Sequence, residues 1–327
     1  MRTRPLGSTG LNVTPVGLGL AAVGRPAYID LSRQGDLGAD RSVDAMEGRS
    51  HELLDAARDG GVGYFDAARS YGRAEAFLSS WLRRREIPPG AVTVGSKWGY
   101  RYTAGWRMDA EVHEVKDHSL AMLRGQLVES RALLGDWLNL YQIHSATLES
   151  GVLDDREVLA ELAEMRAGGL AIGLSVSGPR QAEVIRRAME VEVDGANPFG
   201  TVQATWNVLE PSTGPALVEA SGAGWGVIVK ESLANGRLTP RASGPHRAVL
   251  ERVAKGCEAT VDQVAMAAVL RNPWVGVVLS GAVTVGQLRS NLGALSIDLQ
   301  PEEVEQLTAL AESPDRYWRI RAALPWS

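Results

Sequence analysis

Strand-like and helix-like runs alternate along almost the whole of this chain, and that alternation restricts its fold more than any other feature. Short apolar runs recur, and sequence with a helical period follows each of them. Strands joined by crossover helices lie parallel, so the pattern predicts an α/β fold. Eight such runs in 327 residues favour a closed (β/α)8 barrel, the TIM barrel, over an open sheet. The eight runs cover residues 16–21, 64–67, 91–97, 138–144, 171–176, 201–205, 225–229 and 275–279.

The segments outside this alternation predict a hairpin before the barrel and extended loops at its carboxyl-terminal face. Residues 4–15 have the Gly, Ser and Thr punctuation of a small β-hairpin. Residues 24–48 are irregular, and we expect Ser50 to cap the helix that follows them. A Rossmann fold would need a helix directly after the glycines of the first apolar run, where the irregular segment begins instead. Since composition marks no boundary, we expect residues 1–327 to form one barrel domain.

Composition excludes several functional classes. The net charge is -5 at pH 7 and neither sign is concentrated in one stretch, so nothing favours nucleic acid or an anionic membrane as a partner. Cys257 is the only cysteine, which excludes an intramolecular disulfide, and the histidines lack ligand spacing, so we predict no metal. We find no signal-peptide core near Met1 and no apolar run of the roughly 20 residues that a membrane span needs. We therefore predict a cytoplasmic protein.

Polar residues follow three consecutive strand-like runs near their carboxyl ends. Asp66 ends one run and Tyr71 lies in the loop beyond it, while Lys97 ends the next run. His144 ends the third. Because the carboxyl ends of the strands carry the chemistry in α/β folds, we predict that these four side chains converge on one pocket.

These four residue types form a set suited to proton transfer to a carbonyl oxygen. A phenol with a pKa of ~10 donates poorly at neutral pH unless its phenolate is stabilised. A neighbouring ammonium would lower that pKa by roughly two to three units, and we expect Lys97 to do so for Tyr71. Asp66 would fix the position of the ammonium, and His144 would orient the carbonyl.

At these positions the sequence resembles the aldo-keto reductases. The family's pattern of Asp, Ala-Ala and Tyr-Gly matches residues 66–72, its lysine matches Lys97, and its histidine matches His144. The likeness spans nearly the whole chain. It implies a (β/α)8 barrel that uses NADP, with NAD possible. It also implies hydride transfer between the nicotinamide and the carbonyl or alcohol of an aldehyde, ketone or sugar, with Tyr71 as the general acid/base.

The resemblance also implies a set of cofactor contacts. One serine and one glutamine match residues that hold the carboxamide, residues 232–236 look like the pyrophosphate loop, and the helix after the last strand matches the adenosine segment. The basic residue that commonly grips a 2′-phosphate is replaced by Val283-Thr284, which leaves NAD possible. The implied cofactor contacts are Gly19, Ser175, Gln203, Lys230, Glu231, Leu233, Gly236, Gly281, Gln287 and Asn291.

Two residues depart from the family pattern in the expected nicotinamide site. Val176 stands where the family usually has asparagine, so one carboxamide hydrogen bond would come from elsewhere, such as Ser177, or be missing. Lys230 replaces an aromatic ring that usually stacks on the nicotinamide. Either its methylenes lie along that ring or it is a solvated lysine at a strand end, and the sequence leaves both interpretations open.

The substrate is expected to be a small carbonyl compound or a sugar. Loops at the carboxyl-terminal face are expected to determine which one binds, and their composition does not identify it. Residues 24–48, 98–106 and 317–326 form those loops and the aromatic tail. The aromatic residues predicted to contact the substrate are Tyr28, Trp98 and Trp106. The oligomeric state stays open.

Two other functions remain alternatives. The first is a cofactor-binding sensor or interaction subunit with little turnover, as the potassium-channel beta subunits of this family illustrate, and the changes at Val176 and Lys230 motivate it. The second is a barrel hydrolase or lyase that uses Lys97 as a Schiff-base amine. A salt bridge to Asp66 disfavours the second because it would keep the amine charged.

Overall fold

The computed structural model describes residues 1–29, 31 and 33–326, with residues 33 and 34 described by their backbone only. In this part of the chain, eight parallel strands close a barrel and helices lie between successive strands, which confirms the predicted (β/α)8 fold. The barrel order is β10-β11-β12-β3-β4-β5-β8-β9, where the strands are β1 (Arg4–Pro5), β2 (Asn12–Val13), β3 (Val16–Gly19), β4 (Tyr64–Asp66), β5 (Thr93–Trp98), β6 (Tyr100–Tyr102), β7 (Glu114–Lys116), β8 (Leu138–Ala146), β9 (Ala171–Val176), β10 (Thr201–Thr205), β11 (Gly226–Lys230) and β12 (Val277–Ser280).

The helices surround the barrel and bury their apolar faces against it. Each barrel strand is buried on both sides, as expected when helices cover a parallel sheet. The helices are α1 (Arg33–Asp36), α2 (Val43–Asp59), α3 (Ala74–Arg84), α4 (Leu120–Leu134), α5 (Arg156–Ala167), α6 (Gln181–Met189), α7 (Gly214–Gly222), α8 (Arg247–Gly256), α9 (Val261–Leu270), α10 (Val285–Gly293), α11 (Pro301–Thr308) and α12 (Pro314–Ala322).

The predicted amino-terminal hairpin is present, and it closes the amino-terminal side of the barrel. Its strands β1 and β2 pair antiparallel through Arg4 with Val13 and Pro5 with Asn12. Leu6 and Val13 are fully buried against the amino-terminal halves of the barrel strands. The opposite, carboxyl-terminal face is therefore the one left open for a site.

Two predictions for the segment before α2 need correction. We expected irregular chain over residues 24–48 and a cap at Ser50, but α2 begins at Val43 and includes Ser50. The cap is Ser42, whose hydroxyl accepts from the N–H of Ala45 at 3.3 Å. The hydroxyl of Ser50 instead donates to the carbonyl oxygen of Val23 at 3.3 Å, because this residue faces the barrel and is fully buried.

The extended loops at the carboxyl-terminal face carry structure of their own. Strands β6 and β7 form a two-stranded antiparallel ribbon after β5. The aromatic tail, residues 317–326, was expected to be without a helix but includes the greater part of α12, and Trp326 forms an antiparallel bridge with Ile29. In the residues that the structure describes, no helix combines the length and hydropathy of a membrane span.

Candidate active site

The four polar residues singled out in the sequence lie together at the carboxyl-terminal end of the barrel. Asp66 is the last residue of β4, Lys97 is the last but one of β5, and His144 lies near the end of β8. Tyr71 comes from the loop after β4. That loop is held by Gly72, whose φ of +63° and whose approach to Gly24 leave no room for a side chain, since a Cβ there would lie 2.6 Å from the Gly24 oxygen.

Asp66 and Lys97 form a fully buried ion pair beneath the site. Their side chains are 2% and 0% exposed, and the Lys97 ammonium also donates to the carbonyl oxygen of Ala67 at 2.9 Å. The other Asp66 oxygen accepts from the Tyr64 hydroxyl at 3.2 Å and from the Gln203 amide at 2.8 Å. A buried carboxylate with this many donors is held in one position.

Tyr71 lies directly above this pair. The Lys97 ammonium is 5.0 Å from the centroid of its ring, and the hydroxyl lies 3.4 Å from Nε2 of His144. The other imidazole nitrogen of His144, Nδ1, lies 3.3 Å from the Ser70 hydroxyl. The phenol is therefore placed between an ammonium below and an imidazole beside it, at the base of an open cavity.

The protonation of the phenol differs from our expectation. Burial raises the pKa of Tyr71 well above its usual value, the Asp66 carboxylate adds to the rise, and the Arg25 guanidinium opposes it. We expected Lys97 to lower this pKa, but its ammonium is directed at Asp66 and Ala67. Burial lowers the pKa of Lys97, and Asp66 opposes that shift. The phenol is therefore neutral near pH 7, which is the form that can donate a proton.

His144 is neutral for a similar reason. Burial lowers its pKa well below the usual value, and the cations of Lys97, Arg25 and Lys230 lower it further. A neutral imidazole can donate one hydrogen bond and accept another, so it can orient a carbonyl oxygen beside the phenol without competing for its proton.

A cavity of about 550 Å³ opens above Tyr71 and His144. Its size is that of a site for a cofactor and a small substrate. It extends from the phenol along the loop after β11 to the start of α10. Nine of the ten implied cofactor contacts line it: Gly19, Gln203, Lys230, Glu231, Leu233, Gly236, Gly281, Gln287 and Asn291.

The far end of this cavity fits an elongated polar ligand such as a dinucleotide. A Cβ on Gly281 would project into open space, so the main chain there lies bare along the cavity. Oδ1 of Asn235 is buried and has no partner among the described residues. The loop after β11 is bent by left-handed residues, with φ of 54° at Glu231 and 52° at Asn235. A nicotinamide cofactor would be held by this loop and by the first turn of α10.

An acidic group also lines the far end. Asp36 accepts from the Gln287 amide at 2.7 Å and forms a bidentate ion pair with Arg241, at 2.6 and 2.7 Å. Nothing in the sequence pattern pointed to Asp36, because it comes from the irregular segment before α2.

Lys230 lies at the side of the site with 15% of its side chain exposed, and it is not the solvated lysine that was one of the two interpretations. Its ammonium donates to the Thr205 hydroxyl at 2.9 Å and to the Ser177 hydroxyl at 3.4 Å. Burial lowers its pKa to about 8. Burial disfavours ionisation of Glu231, but the cations of Arg321 and Lys230 prevail and lower its pKa to about 2.

Three predicted contacts lie outside the cavity. Trp98 is fully buried on the other side of β5 from Lys97, as the alternation of side chains along a strand requires. Trp106 packs on Phe77 and donates to the carbonyl oxygen of Arg41 at 2.8 Å. Ser175 accepts from the N–H of Ser145 at 2.8 Å and so supports the residue after His144. Only Tyr28 of the three predicted substrate contacts lines the cavity.

The structure adds residues that the sequence analysis missed near the phenol. They come from the segment after β3, the β6–β7 ribbon, the turn after β8 and the carboxyl-terminal segment. The single available signal was their position in loops beyond strand ends. These lining residues are Arg25, Tyr100, Glu114, Lys116, Ser145, Arg321 and Trp326.

Comparisons with known proteins agree with this geometry. The model of the aldo/keto reductase family matches residues 43–312. A putative aryl-alcohol dehydrogenase of Saccharomyces cerevisiae is 26% identical and aligns over 94% of this chain and 86% of its own length. The NADH-specific methylglyoxal reductase of Escherichia coli is 25% identical over 97% of this chain and 100% of its own.

Solved structures share the fold. The holo form of an aldo-keto reductase from Bacillus halodurans superposes with a TM-score of 0.72 at 22% identity, covering 96% of this chain and 97% of the other. A glycerol dehydrogenase from Gluconobacter oxydans gives 0.70 at 20% identity over 94% of both chains. With a family match over most of its length, this chain belongs to the aldo/keto reductase family and is an NAD(P)H-dependent oxidoreductase.

Proposed function

We propose that this enzyme interconverts an aldehyde or ketone and the corresponding alcohol, with Tyr71 as the proton donor and acceptor. The observation that carries the proposal is the Tyr71 hydroxyl, 3.4 Å from Nε2 of His144 and above the buried Lys97–Asp66 pair, at the base of a cavity of about 550 Å³. The bound nicotinamide would supply or accept the hydride. NADP or NAD would be held by the loop after β11 and the start of α10.

Each residue near the phenol would have one task. A carbonyl oxygen placed within hydrogen-bonding distance of the Tyr71 hydroxyl and His144 Nε2 would be polarised by both. In the direction of reduction the neutral phenol gives its proton to that oxygen. The charge of the phenolate that remains would be stabilised by the two cations beside the ring, the Lys97 ammonium at 5.0 Å and the Arg25 guanidinium at 5.3 Å from its centroid. In the direction of oxidation the same phenolate takes the proton of the alcohol.

The position of Lys97 disfavours the Schiff-base alternative. Its amine is fully buried, is hydrogen-bonded to Asp66 and Ala67, and is not among the residues that line the cavity. A Schiff-base lysine must reach the substrate carbonyl as a free amine.

The test compares nucleotide binding with turnover. The wild-type protein should bind NADPH or NADH, seen by nucleotide fluorescence, and reduce members of an aldehyde panel. The Tyr71→Phe variant should keep its Kd for the nucleotide within about twofold and lose about 10²- to 10⁴-fold in kcat, the usual contribution of a general acid. Tyr102→Phe, a matched change outside the cavity, should keep its activity.

The outcomes separate the proposal from the sensor alternative. Tight nucleotide binding with negligible turnover that Tyr71→Phe does not change would favour a sensor. Failure to bind either nucleotide would contradict both.

A further inference from the structure

Most charges that line the cavity are paired with one another. Near the phenol, Arg25 pairs with Glu114 at 2.8 Å and Arg321 pairs with Glu231 at 2.5 Å. At the far end Arg241 pairs with Asp36 at 2.6 Å. These pairs leave little net charge for a ligand to neutralise.

Two lysines depart from this pattern. Among the described residues, no carboxylate lies within 4.0 Å of the Lys116 ammonium, and the carboxylate nearest Lys230 is Glu231 at 4.0 Å, which already binds Arg321 bidentately. With Lys97 balanced by Asp66, the phenol end of the cavity carries two ammonium groups that have no close ion-pair partner of their own, those of Lys116 and Lys230; Glu149 and Glu114 act on Lys116 only from a greater distance.

The two lysines are connected through Ser145 and Ser177. Lys116 donates to the carbonyl oxygen of Ser145 at 2.9 Å, the hydroxyls of Ser145 and Ser177 lie 3.0 Å apart, and the Ser177 hydroxyl lies 3.4 Å from the Lys230 ammonium. Two ammonium groups and two hydroxyls thus line one wall. All four residues line the cavity. Such a set offers several donors and a positive potential to the oxygens of an anion.

This wall adjoins the reacting groups. Ser145 directly follows His144 in β8 and has a left-handed backbone, with φ of 53°. Its N–H is fixed by the Ser175 hydroxyl at 2.8 Å. A left-handed backbone in a residue other than glycine is strained and persists only when the surrounding structure imposes it. Such residues are common at binding sites.

We propose that Lys116, Ser145, Ser177 and Lys230 form a subsite for an anionic group of the substrate, so that the preferred substrates are aldehydes or ketones that carry a carboxylate or a phosphate. The inference rests on the proposed function. Because the subsite begins one residue from His144, the anionic group lies a short distance from the carbonyl. Burial lowers the pKa of Lys230 to about 8, so its ammonium predominates at pH 7.

Pairs of substrates that differ in one charge test the subsite. We expect kcat/KM for 4-carboxybenzaldehyde to exceed that for 4-carbamoylbenzaldehyde by about ten- to a hundredfold at pH 7, as for a hydrogen bond to a charged group. The same comparison of kcat/KM between glyceraldehyde 3-phosphate and glyceraldehyde tests whether the anionic group can be a phosphate. A preference in either arm supports the inference and identifies the anion.

Lysine variants localise the preference. Lys116→Met and Lys230→Met should each reduce the ratio for the charged and neutral pair about tenfold, and Lys116→Met, which changes a residue that is not among the expected cofactor contacts, should change activity on the neutral aldehyde by less than about threefold. Lys255→Met, on the exposed face of α8, should leave the ratio unchanged. If Lys230→Met weakens nucleotide binding and leaves the ratio unchanged, its charge serves the cofactor and the inference is overturned.

A binding measurement separates this inference from the proposed function. Titration calorimetry on the enzyme loaded with reduced nucleotide would compare 4-carboxybenzyl alcohol with 4-(hydroxymethyl)benzamide, and no turnover is needed. Tighter binding of the carboxylate supports the subsite even if turnover is absent. The subsite is overturned if the two alcohols bind equally and if kcat/KM is the same for the charged and the neutral substrate in both the carboxylate and the phosphate pair. Carbonyl reduction itself would not be contradicted by that result.

Discussion

Removing the charge of Asp66 should destabilise the protein strongly, because it would leave the Lys97 ammonium buried without a counterion. Both side chains are almost completely inaccessible, and the partners left to that ammonium, the amide oxygen introduced at position 66 and the Ala67 carbonyl oxygen, could accept its hydrogen bonds but would not balance its charge. The Asp66→Asn substitution keeps the size of the side chain, so the effect is electrostatic. Breaking a buried ion pair from one side costs about 3–5 kcal/mol.

The chemistry of lysine sets an independent limit. The variant can avoid the buried charge by releasing the proton of Lys97. For an amine with a pKa of ~10.4, removing the proton at pH 7 costs about 4.6 kcal/mol. This cost is an upper limit for the electrostatic part of the loss in unfolding free energy. The two estimates agree.

The pH dependence gives the sign of the effect. In the variant, the folded-state pKa of Lys97 would lie far below the unfolded value, so between the two values the unfolded chain binds one more proton. Stability then increases with pH by about 1.4 kcal/mol per pH unit. We expect the deficit of Asp66→Asn relative to wild type to shrink between pH 7 and pH 9 in urea unfolding curves with unchanged m-values.

A double-mutant cycle supplies the control. Lys97→Met should cost less than Asp66→Asn, because Asp66 keeps its bonds from Tyr64 and Gln203. The double variant should be more stable than the sum of the single losses predicts, by about 2–3 kcal/mol. If the two losses add within about 0.5 kcal/mol, or the deficit does not change with pH, the ion pair does not act as described.

Three further predictions follow from other parts of the site. Asp36→Asn should strengthen binding of NADPH relative to NADH by about tenfold in fluorescence titrations, because it removes a negative charge beside Gln287, an expected contact of the adenosine end of the cofactor; an unchanged ratio would show that the 2′-phosphate does not bind near Asp36. The preference for 4-carboxybenzaldehyde over its amide should fall as pH rises through about 8, where Lys230 loses its charge, and a flat ratio from pH 6 to 9 would contradict this. The charged or titratable groups that act on this ammonium are Asp66, Lys97, His144, Glu231 and Arg321. Gly72→Ala should cost about 1–3 kcal/mol in thermal unfolding, since its φ is +63° and its Cβ would clash with Gly24; a loss under 0.5 kcal/mol would show that the turn can relax.

The sequence predicts the barrel and the four central residues well because both depend on strand periodicity. Strands β9 and β10 have the predicted bounds, and Asp66, Lys97 and His144 lie near strand ends, so the closed sheet brings them together. Tyr71 is positioned by a turn that needs glycine at its next residue. Local pattern is sufficient for all of these.

The substrate side could not be predicted in the same way. Lys116 and Asp36 lie in short elements within loops, and their contacts depend on how those loops fold back across the barrel. Trp98 belongs to a strand that continues one residue beyond Lys97, and that single residue decides which side of the sheet it faces. The pKa of Tyr71 depends on how deeply the phenol is buried and on where the Lys97 ammonium points, and neither can be read from the sequence.

The most direct test of the central claim is a single-turnover measurement of hydride transfer. Enzyme premixed with saturating reduced nucleotide is mixed with an aldehyde, and the nicotinamide absorbance is followed for wild type, Tyr71→Phe and Tyr102→Phe. We predict a fall of about 10²- to 10⁴-fold in the rate for Tyr71→Phe alone, with nucleotide affinity preserved. A Tyr71→Phe enzyme that transfers hydride at the wild-type rate would contradict the assignment of the phenol as the proton donor.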